Sequence, residues 1–159
     1  MKRLFFNVIC ITLLIGCVAC KSVLPDEMPL VLKSKVENLD FSIRISDMAP
    51  QRYLSRIVTS IYGIEVKDGW LNSNLPYLGQ VQIPTSYTSI PKGLNFQEEI
   101  RDYSVNDNQR KHRAEINLYV KNEEDSYLYC IYIYYDGKAE IMVRPAKRDF
   151  IRFYGDVEE

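Results

Sequence analysis

From Phe41 to Ser46 the chain alternates apolar and polar residues. Phe41, Ile43 and Ile45 interleave with Ser42, Arg44 and Ser46. The same period of two returns where Ile116, Leu118 and Val120 interleave with Glu115, Asn117 and Tyr119. Successive side chains of an extended strand point to opposite faces, so this pattern gives one apolar and one polar face. A helix of the same residues would spread its apolar groups around the axis. Asp68-Gly69 and Asp136-Gly137 each sit between apolar runs, the strongest short-range hairpin signal. The fold must therefore be built largely from antiparallel hairpins.

The remaining segments fit that frame. Leu54 to Val66 is rich in Ile, Val, Tyr and Thr and reads as strand, paired through Asp68-Gly69 with a short strand at Trp70-Leu71. Pro76 keeps Leu75–Gly79 out of the middle of a sheet. Residues 83–93, with Pro84, Pro91 and Gly93, read as a surface loop. Phe96 to Val105 reads as one strand, and Asn106 to Arg113 as a polar hairpin loop. Asn122 to Asp125 is a turn. Tyr127 to Tyr135 is apolar on both faces and reads as a central strand covered on both sides. Ala139–Arg144 pairs back on it, and Phe150–Tyr154 is the last strand. Before all of these, Leu30–Asn38 reads as a short helix, with Leu32, Val36 and Leu39 on one face and Pro29 at its start. The expected fold is mainly β: an antiparallel sandwich or a curved, partly closed sheet of seven to nine strands, with one short N-terminal helix.

The first twenty residues carry a different signal. Lys2 and Arg3 precede an apolar run from Leu4 to about Leu14, followed by Ile15, Gly16 and Cys17. This is the layout of a secretory leader, and Leu14-Ile15-Gly16-Cys17 resembles a bacterial lipobox. Two other readings are a transmembrane helix and an ordinary cleaved leader. Extended to Ala19, the run is about sixteen residues, short of the roughly twenty that span a bilayer. Cys17 is the expected lipidation site and Cys20 the alternative, because Cys17 replaces the aliphatic residue that a lipobox ending at Cys20 would need. The domain division is 1–16 leader, 17–29 lipidated tether with Pro25 and Pro29, and 30–159 a single β-rich domain. The expected location is the cell envelope, at the outer membrane, with the protein held by several N-terminal acyl chains. Asp26 and Glu27 leave the side it faces open.

Charge and chemistry narrow the function classes. The chain has 20 basic and 21 acidic residues. The leader takes Lys2 and Arg3, which leaves 18 against 21, a balance that gives no footprint for nucleic acid. Cys130 lies in an apolar run and reads as a buried, inert thiol. His112 is the only histidine and lies in the polar run Arg110-Lys111-His112-Arg113. It reads as a solvated loop residue, and no metal site or cofactor is expected. The same four residues make a small basic patch, either a solubilising loop or a contact for anionic lipid or polysaccharide. Glu98-Glu99 and Glu123-Glu124-Asp125 are adjacent in sequence and point to opposite faces of a strand. They do not set two carboxyls across a cleft as a glycosidase requires. All twelve tyrosines lie between Tyr53 and Tyr154. Tyrosine favours strands and also makes good binding surfaces. Trp70, Tyr77 and Tyr87, in or beside turns, are the candidates for an exposed aromatic contact.

Three stretches resemble a family of Bacteroidetes envelope lipoproteins, the domain of unknown function 4251. The first is Tyr62-x-Ile64-x-Val66-x-Asp68 leading into Leu75-Pro76-Tyr77-Leu78-Gly79, similar to the family's Leu-Pro-Tyr-aromatic-Gly motif. The second is the Phe96 strand leading to Asp102-Tyr103-Ser104-Val105. The third is Ile151-Arg152-Phe153-Tyr154-Gly155, similar to its closing Phe-Tyr-Gly. Leu78 replaces the usual aromatic, and Gln80 stands where a basic residue is common. The resemblance implies an envelope location and a β-rich fold and supplies no activity. Without a catalytic set, the expected function is a lipid-anchored binding or structural module whose partner is an envelope protein, a glycan or an apolar ligand. The alternative is an envelope hydrolase acting on peptidoglycan or polysaccharide.

Overall fold

The structure, a computed structural model, describes residues 25, 27–80 and 93–158. Cys17, Cys20, Tyr87, the leader and most of the 83–93 loop lie outside the described residues. Helix α1 is Leu30–Asn38. Ten strands follow: β1 Phe41–Pro50, β2 Arg56–Ile57, β3 Gly63–Lys67, β4 Trp70–Leu75, β5 Leu94–Glu99, β6 Asp102–Asn108, β7 Arg113–Lys121, β8 Ser126–Tyr134, β9 Lys138–Pro145 and β10 Ile151–Val157.

All ten belong to one antiparallel sheet in the order β5-β4-β3-β1-β10-β9-β8-β7-β6, with β2 paired to β1 alongside β3. The sheet is thus the curved arrangement and not a two-sheet sandwich. It has ten strands where seven to nine were expected, for two local reasons. The run from Leu54 to Val66 is not one strand: only Arg56–Ile57 and Gly63–Lys67 pair. The run from Phe96 to Val105 breaks at Ile100–Arg101, so β5 and β6 are separate strands at the two ends of the path. The polar loop after it is also shorter than Asn106–Arg113. Strand β6 continues through Asn108, and only a one-turn 3₁₀ helix, Gln109–Lys111, precedes β7.

Two consecutive strands at opposite edges require the sheet to curl. The Ile100 N–H donates to the Gly69 carbonyl at 2.8 Å, and the Arg101 N–H to the Tyr119 carbonyl at 2.9 Å. Inside the curl, Phe96 of β5 stacks on Tyr127 of β8 with ring centroids 4.9 Å apart and meets Tyr129 edge-on at 6.4 Å. Val66, Leu71, Leu75, Leu94, Ile116, Leu118, Ile131, Ile141, Val143 and Phe153 fill the same interior. Helix α1 adds Leu32, Val36 and Leu39 to this core. Leu39 adopts a left-handed C-cap, and the helix ends with the Asp40 N–H donating to the Lys35 carbonyl at 2.9 Å.

Both Asp-Gly hairpins form, with Gly69 and Gly137 at φ +79° and +85°. A tighter constraint acts at Gly155. Strand β1 carries a bulge between Ile45 and Asp47 opposite β10, and a Cβ on Gly155 would run into the Arg44 carbonyl. Gly155→Ala should therefore destabilise the protein by about 1–3 kcal/mol or more, as overpacking does. Gly69→Asn, at a position with open space, should be near neutral because Asn tolerates the left-handed region. Urea midpoints of the two variants check this; equal midpoints would mean that β1 and β10 are not in close contact at the bulge.

Candidate functional site

The densest gathering of ionisable side chains lies where the Leu75–Gln80 segment, the Asn122–Asp125 turn and the Ala146–Phe150 connection meet. Each piece is there for a local reason. Pro76 ends β4. Asn122 accepts the N–H groups of Glu124 and Asp125, both at 2.9 Å, which closes the β7–β8 turn. Beyond Pro145 the chain turns with the Ala146 N–H donating to the Ser126 carbonyl at 3.0 Å.

Asp149, 1% exposed, is the hub. Its Oδ2 accepts from Arg52 Nε at 2.8 Å and from the Gln80 N–H at 3.1 Å. Its own N–H donates to the Gln80 carbonyl at 3.0 Å. The Tyr77 O–H donates to the Asp149 carbonyl at 2.9 Å. Asp125, also buried, accepts from the Ser126 N–H at 2.8 Å and the Lys147 N–H at 3.3 Å. Between these carboxylates lies Arg148. Its Nη2 is 3.3 Å from Glu124 Oε2 and from the Tyr127 hydroxyl, its Nε is 3.8 Å from Asp125 Oδ2, and its guanidinium lies 5.5 Å over the Tyr77 ring. Burial, then the charge of Asp149, pushes the Tyr77 phenol up to about 12, and burial also raises Tyr127. Buried carboxylates with this many backbone donors brace loops; neither presents a free oxygen pair to an open cleft.

Gly79 completes the cluster. A Cβ there would lie 2.5 Å from the Tyr77 hydroxyl oxygen and 2.8 Å from ring carbon Cζ. The glycine two residues after Tyr77 thus leaves room for the ring to reach Asp149.

The structure separates the aromatic residues singled out from sequence. Tyr77 is half-buried in this cluster. Trp70, 46% exposed, sits at the β3–β4 hairpin beside a shallow groove of ≈ 200 Å³ lined by Lys67, Asp68, Asn72 and Gln97. Trp70 precedes β4's last residue by five positions, about 17 Å of strand, so the two residues do not share a patch. Of the five tyrosines in Tyr127–Tyr135, Tyr127, Tyr129 and Tyr135 are buried in the core. Tyr132 and Tyr134 lie half-buried on the outer face under Arg113, whose guanidinium is 4.0 Å from the Tyr132 ring centroid. Strand β8 is covered fully on its inner face and only partly on its outer one.

His112 is not a solvated loop residue. It takes a left-handed backbone at φ 49°, its ring packs edge-on against Tyr135 at 5.7 Å, and its Nδ1 is buried without a hydrogen-bond partner. The basic run is split as well, because Arg113 turns onto Glu115 at 2.8 Å and holds that carboxyl below its usual range. Cys130 is a buried free thiol whose pKa burial raises. Among the described residues no group of three or more His, Cys, Asp or Glu is placed to hold a metal ion, and no helix is long and apolar enough to cross a membrane. Arg148 and Asp149 carry no signal of their own in sequence, where they look like the polar residues of any turn between strands.

Tyr77→Phe should cost about 1 kcal/mol through the lost hydrogen bond, and Asp149→Ala about 3 kcal/mol or more because it leaves buried donors unpaired. Burial favours the neutral Tyr77 phenol, so its contribution is intact below about pH 10 and lost as pH rises through about 12. Tyr135, raised to about 12 by burial and its bond to Asp107, acts in the same window. Urea titrations at neutral pH and at about pH 11 check this. Wild type should lose stability between the two, and Tyr77→Phe should lose measurably less.

The model of one family, described as Domain of unknown function (DUF4251), matches residues 30–157. The fold is similar to the crystal structure of a DUF4251 family protein from Bacteroides eggerthii DSM 20697, with a TM-score of 0.60 and 11% identity over 79% of this chain and 83% of that one. No curated protein matches the sequence.

Proposed function

This chain belongs to the DUF4251 family, and from that premise we propose that it is a lipid-anchored cell-envelope protein acting as a non-enzymatic binding or structural module. The family's description assigns no activity, so the reading rests on the chain's own residues. The observation that carries it is the state of the cluster around Asp149. The two buried carboxylates and the arginine between them are engaged in tying three connections together. A hydrolase of peptidoglycan or polysaccharide would need one acid and one base facing a common cleft, each free to exchange a proton with substrate. Asp125 and Asp149 instead spend their oxygens on backbone N–H groups and arginine.

The anchor comes from Leu14-Ile15-Gly16-Cys17. Lipidation at Cys17 leaves residues 18–29 as a tether between the acyl chains and Leu30. Several acyl chains together hold a protein on a bilayer far longer than one chain does. The partner of such a module is an envelope protein, a glycan or an apolar ligand met at the protein's surface, and the membrane is the outer membrane.

Cys17→Ser should abolish incorporation of labelled fatty acid and release the protein from the membrane fraction, while Cys20→Ser should leave both intact. The reverse result would start the mature chain three residues later. For the module itself, Asp125→Asn and Asp149→Asn should lower the unfolding midpoint without removing a hydrolytic activity on peptidoglycan or envelope polysaccharide. A turnover that wild type shows and these folded variants lack would overturn the non-enzymatic reading.

A further inference from the structure

The connection between β1 and β3, residues 51–62, is the most apolar exposed surface among the described residues. Leu54, Ile57 and Ile61 are 88%, 77% and 78% exposed, and Tyr53 lies beside them. Three large aliphatic side chains within eight residues, all turned to solvent, exceed the scattered single exposures that a folded surface normally tolerates.

The segment is held in place. Arg56 and Ile57 pair with Met48 and Asp47 of β1. The Val58 N–H donates to the Ser46 carbonyl at 2.8 Å, the Tyr62 carbonyl accepts from the Ile45 N–H at 2.9 Å, and Asn74 Nδ2 donates to the Ile61 carbonyl at 3.2 Å. Val58 and Tyr62 pack against the core. Arg52 is tied to Asp149 at the segment's start. The alternation across Ile57 and Val58 puts one side chain in and one out, so a fixed frame displays the exposed aliphatics.

The charge of the segment identifies what it fits. Residues 51–62 hold two arginines, Arg52 and Arg56, and no acidic residue. Arg52 is tied to the buried Asp149 and Asp47 lies across from Ile57, so Arg56 is the cation that the segment itself presents beside its apolar side chains. An occupant must be apolar in its interior and anionic at its surface, which is the chemistry of a bilayer containing acidic phospholipid.

We infer that the 51–62 segment is a second, peripheral membrane contact, in which Leu54, Ile57 and Ile61 enter the headgroup–acyl boundary and Arg56 faces lipid phosphate. The inference rests on the anchored reading for its strength. Twelve residues between Cys17 and Leu30 reach at most about 40 Å. That length keeps the segment at millimolar effective concentration above the bilayer, so a contact too weak to hold a free protein orients a tethered one.

The probe is vesicles of phosphatidylcholine with or without phosphatidylglycerol, and the protein is the full chain after the leader with Cys17→Ser, which isolates this contact from the acyl chains. Partitioning should require phosphatidylglycerol and fall with added salt. Leu54→Asp/Ile57→Asp should lower it by about tenfold or more, the loss expected from keeping two aliphatic side chains in water. Leu30→Asp/Val31→Asp, at the other strongly exposed aliphatic pair, should leave it unchanged. Because Leu54 and Ile57 bury nothing, their variant should keep the wild-type urea midpoint; if it does not, Leu54→Ser/Ile57→Ser replaces it. Partitioning that is absent, indifferent to phosphatidylglycerol, or lost only in the Leu30/Val31 variant overturns the inference, as does a protein partner recovered through Leu54 in vesicles that bind nothing. Fatty-acid labelling at Cys17 is scored separately. Its absence with partitioning intact would remove the anchor and leave this contact standing.

Discussion

Everything in this fold depends on the two-residue link Ile100–Arg101. It joins the first and last strands of the hydrogen-bonded path, β5 and β6. A flat sheet cannot place consecutive strands at opposite edges with two residues between them, because one trans peptide step covers about 3.8 Å. Curling removes the conflict, and the two N–H groups of the link then find partners on both sides of the seam, Gly69 and Tyr119. Curling also decides the core. One sheet facing itself must fill its interior with its own alternate residues, which is why large rings from strands far apart in the path, Phe96 and Tyr127, come to stack. A polar pair buried in that interior has both its hydroxyls satisfied. The Ser73 hydroxyl donates to the Leu94 carbonyl at 2.8 Å, so the Tyr129 O–H is the donor to Ser73 Oγ at 2.9 Å.

The two glycine motifs now have physical explanations. In Leu75-Pro76-Tyr77-Leu78-Gly79 the proline ends the strand, the tyrosine reaches Asp149, and the glycine leaves space for the ring. In Phe153-Tyr154-Gly155 the phenylalanine is core, and the glycine lets β10 pass the bulge of β1. In both motifs the glycine is a packing device. Leu78, where an aromatic is usual, is only partly buried and packs against the same core. Gln80, where a basic residue is common, contributes its backbone to Asp149. The exchange of the Gln80 side chain therefore leaves the brace unchanged.

Period-two alternation and Asp-Gly turns made most strands legible, because both are local and each hairpin obeys them without help. Helix α1 was legible for the same reason. The break at Ile100 was not, because residues on both sides are good strand formers and the interruption comes from a seam made by β3, β4 and β7. Leu54–Val66 misled for the opposite reason: its β-rich composition matches a strand, but β1 offers ladder partners only to Arg56–Ile57 and to Gly63–Val66, and residues 58–62 between them leave the ladder. His112 misled because polar neighbours in sequence say nothing about Tyr135, which arrives from another strand. Asp149 was invisible, since a carboxylate becomes a hub only when Arg52, Tyr77 and Gln80 converge on it.

The division between interior and surface bears on where any function can lie. Among the described residues the sheet packs its inner face into its own core, and its most buried charges brace the loops at Asp149. Large apolar side chains also lie outside that core, in water. Tyr103 and Val105, which share a face of the edge strand β6 at 59% and 37% exposure, fit the ordinary background of a folded surface. The 51–62 segment does not, because four hydrophobic side chains share one frame fixed to β1 and the core. Folding would have tolerated polar residues at Leu54, Ile57 and Ile61 equally well, since none contributes to the interior. Their presence is a cost in solubility that the proposed membrane contact would remove.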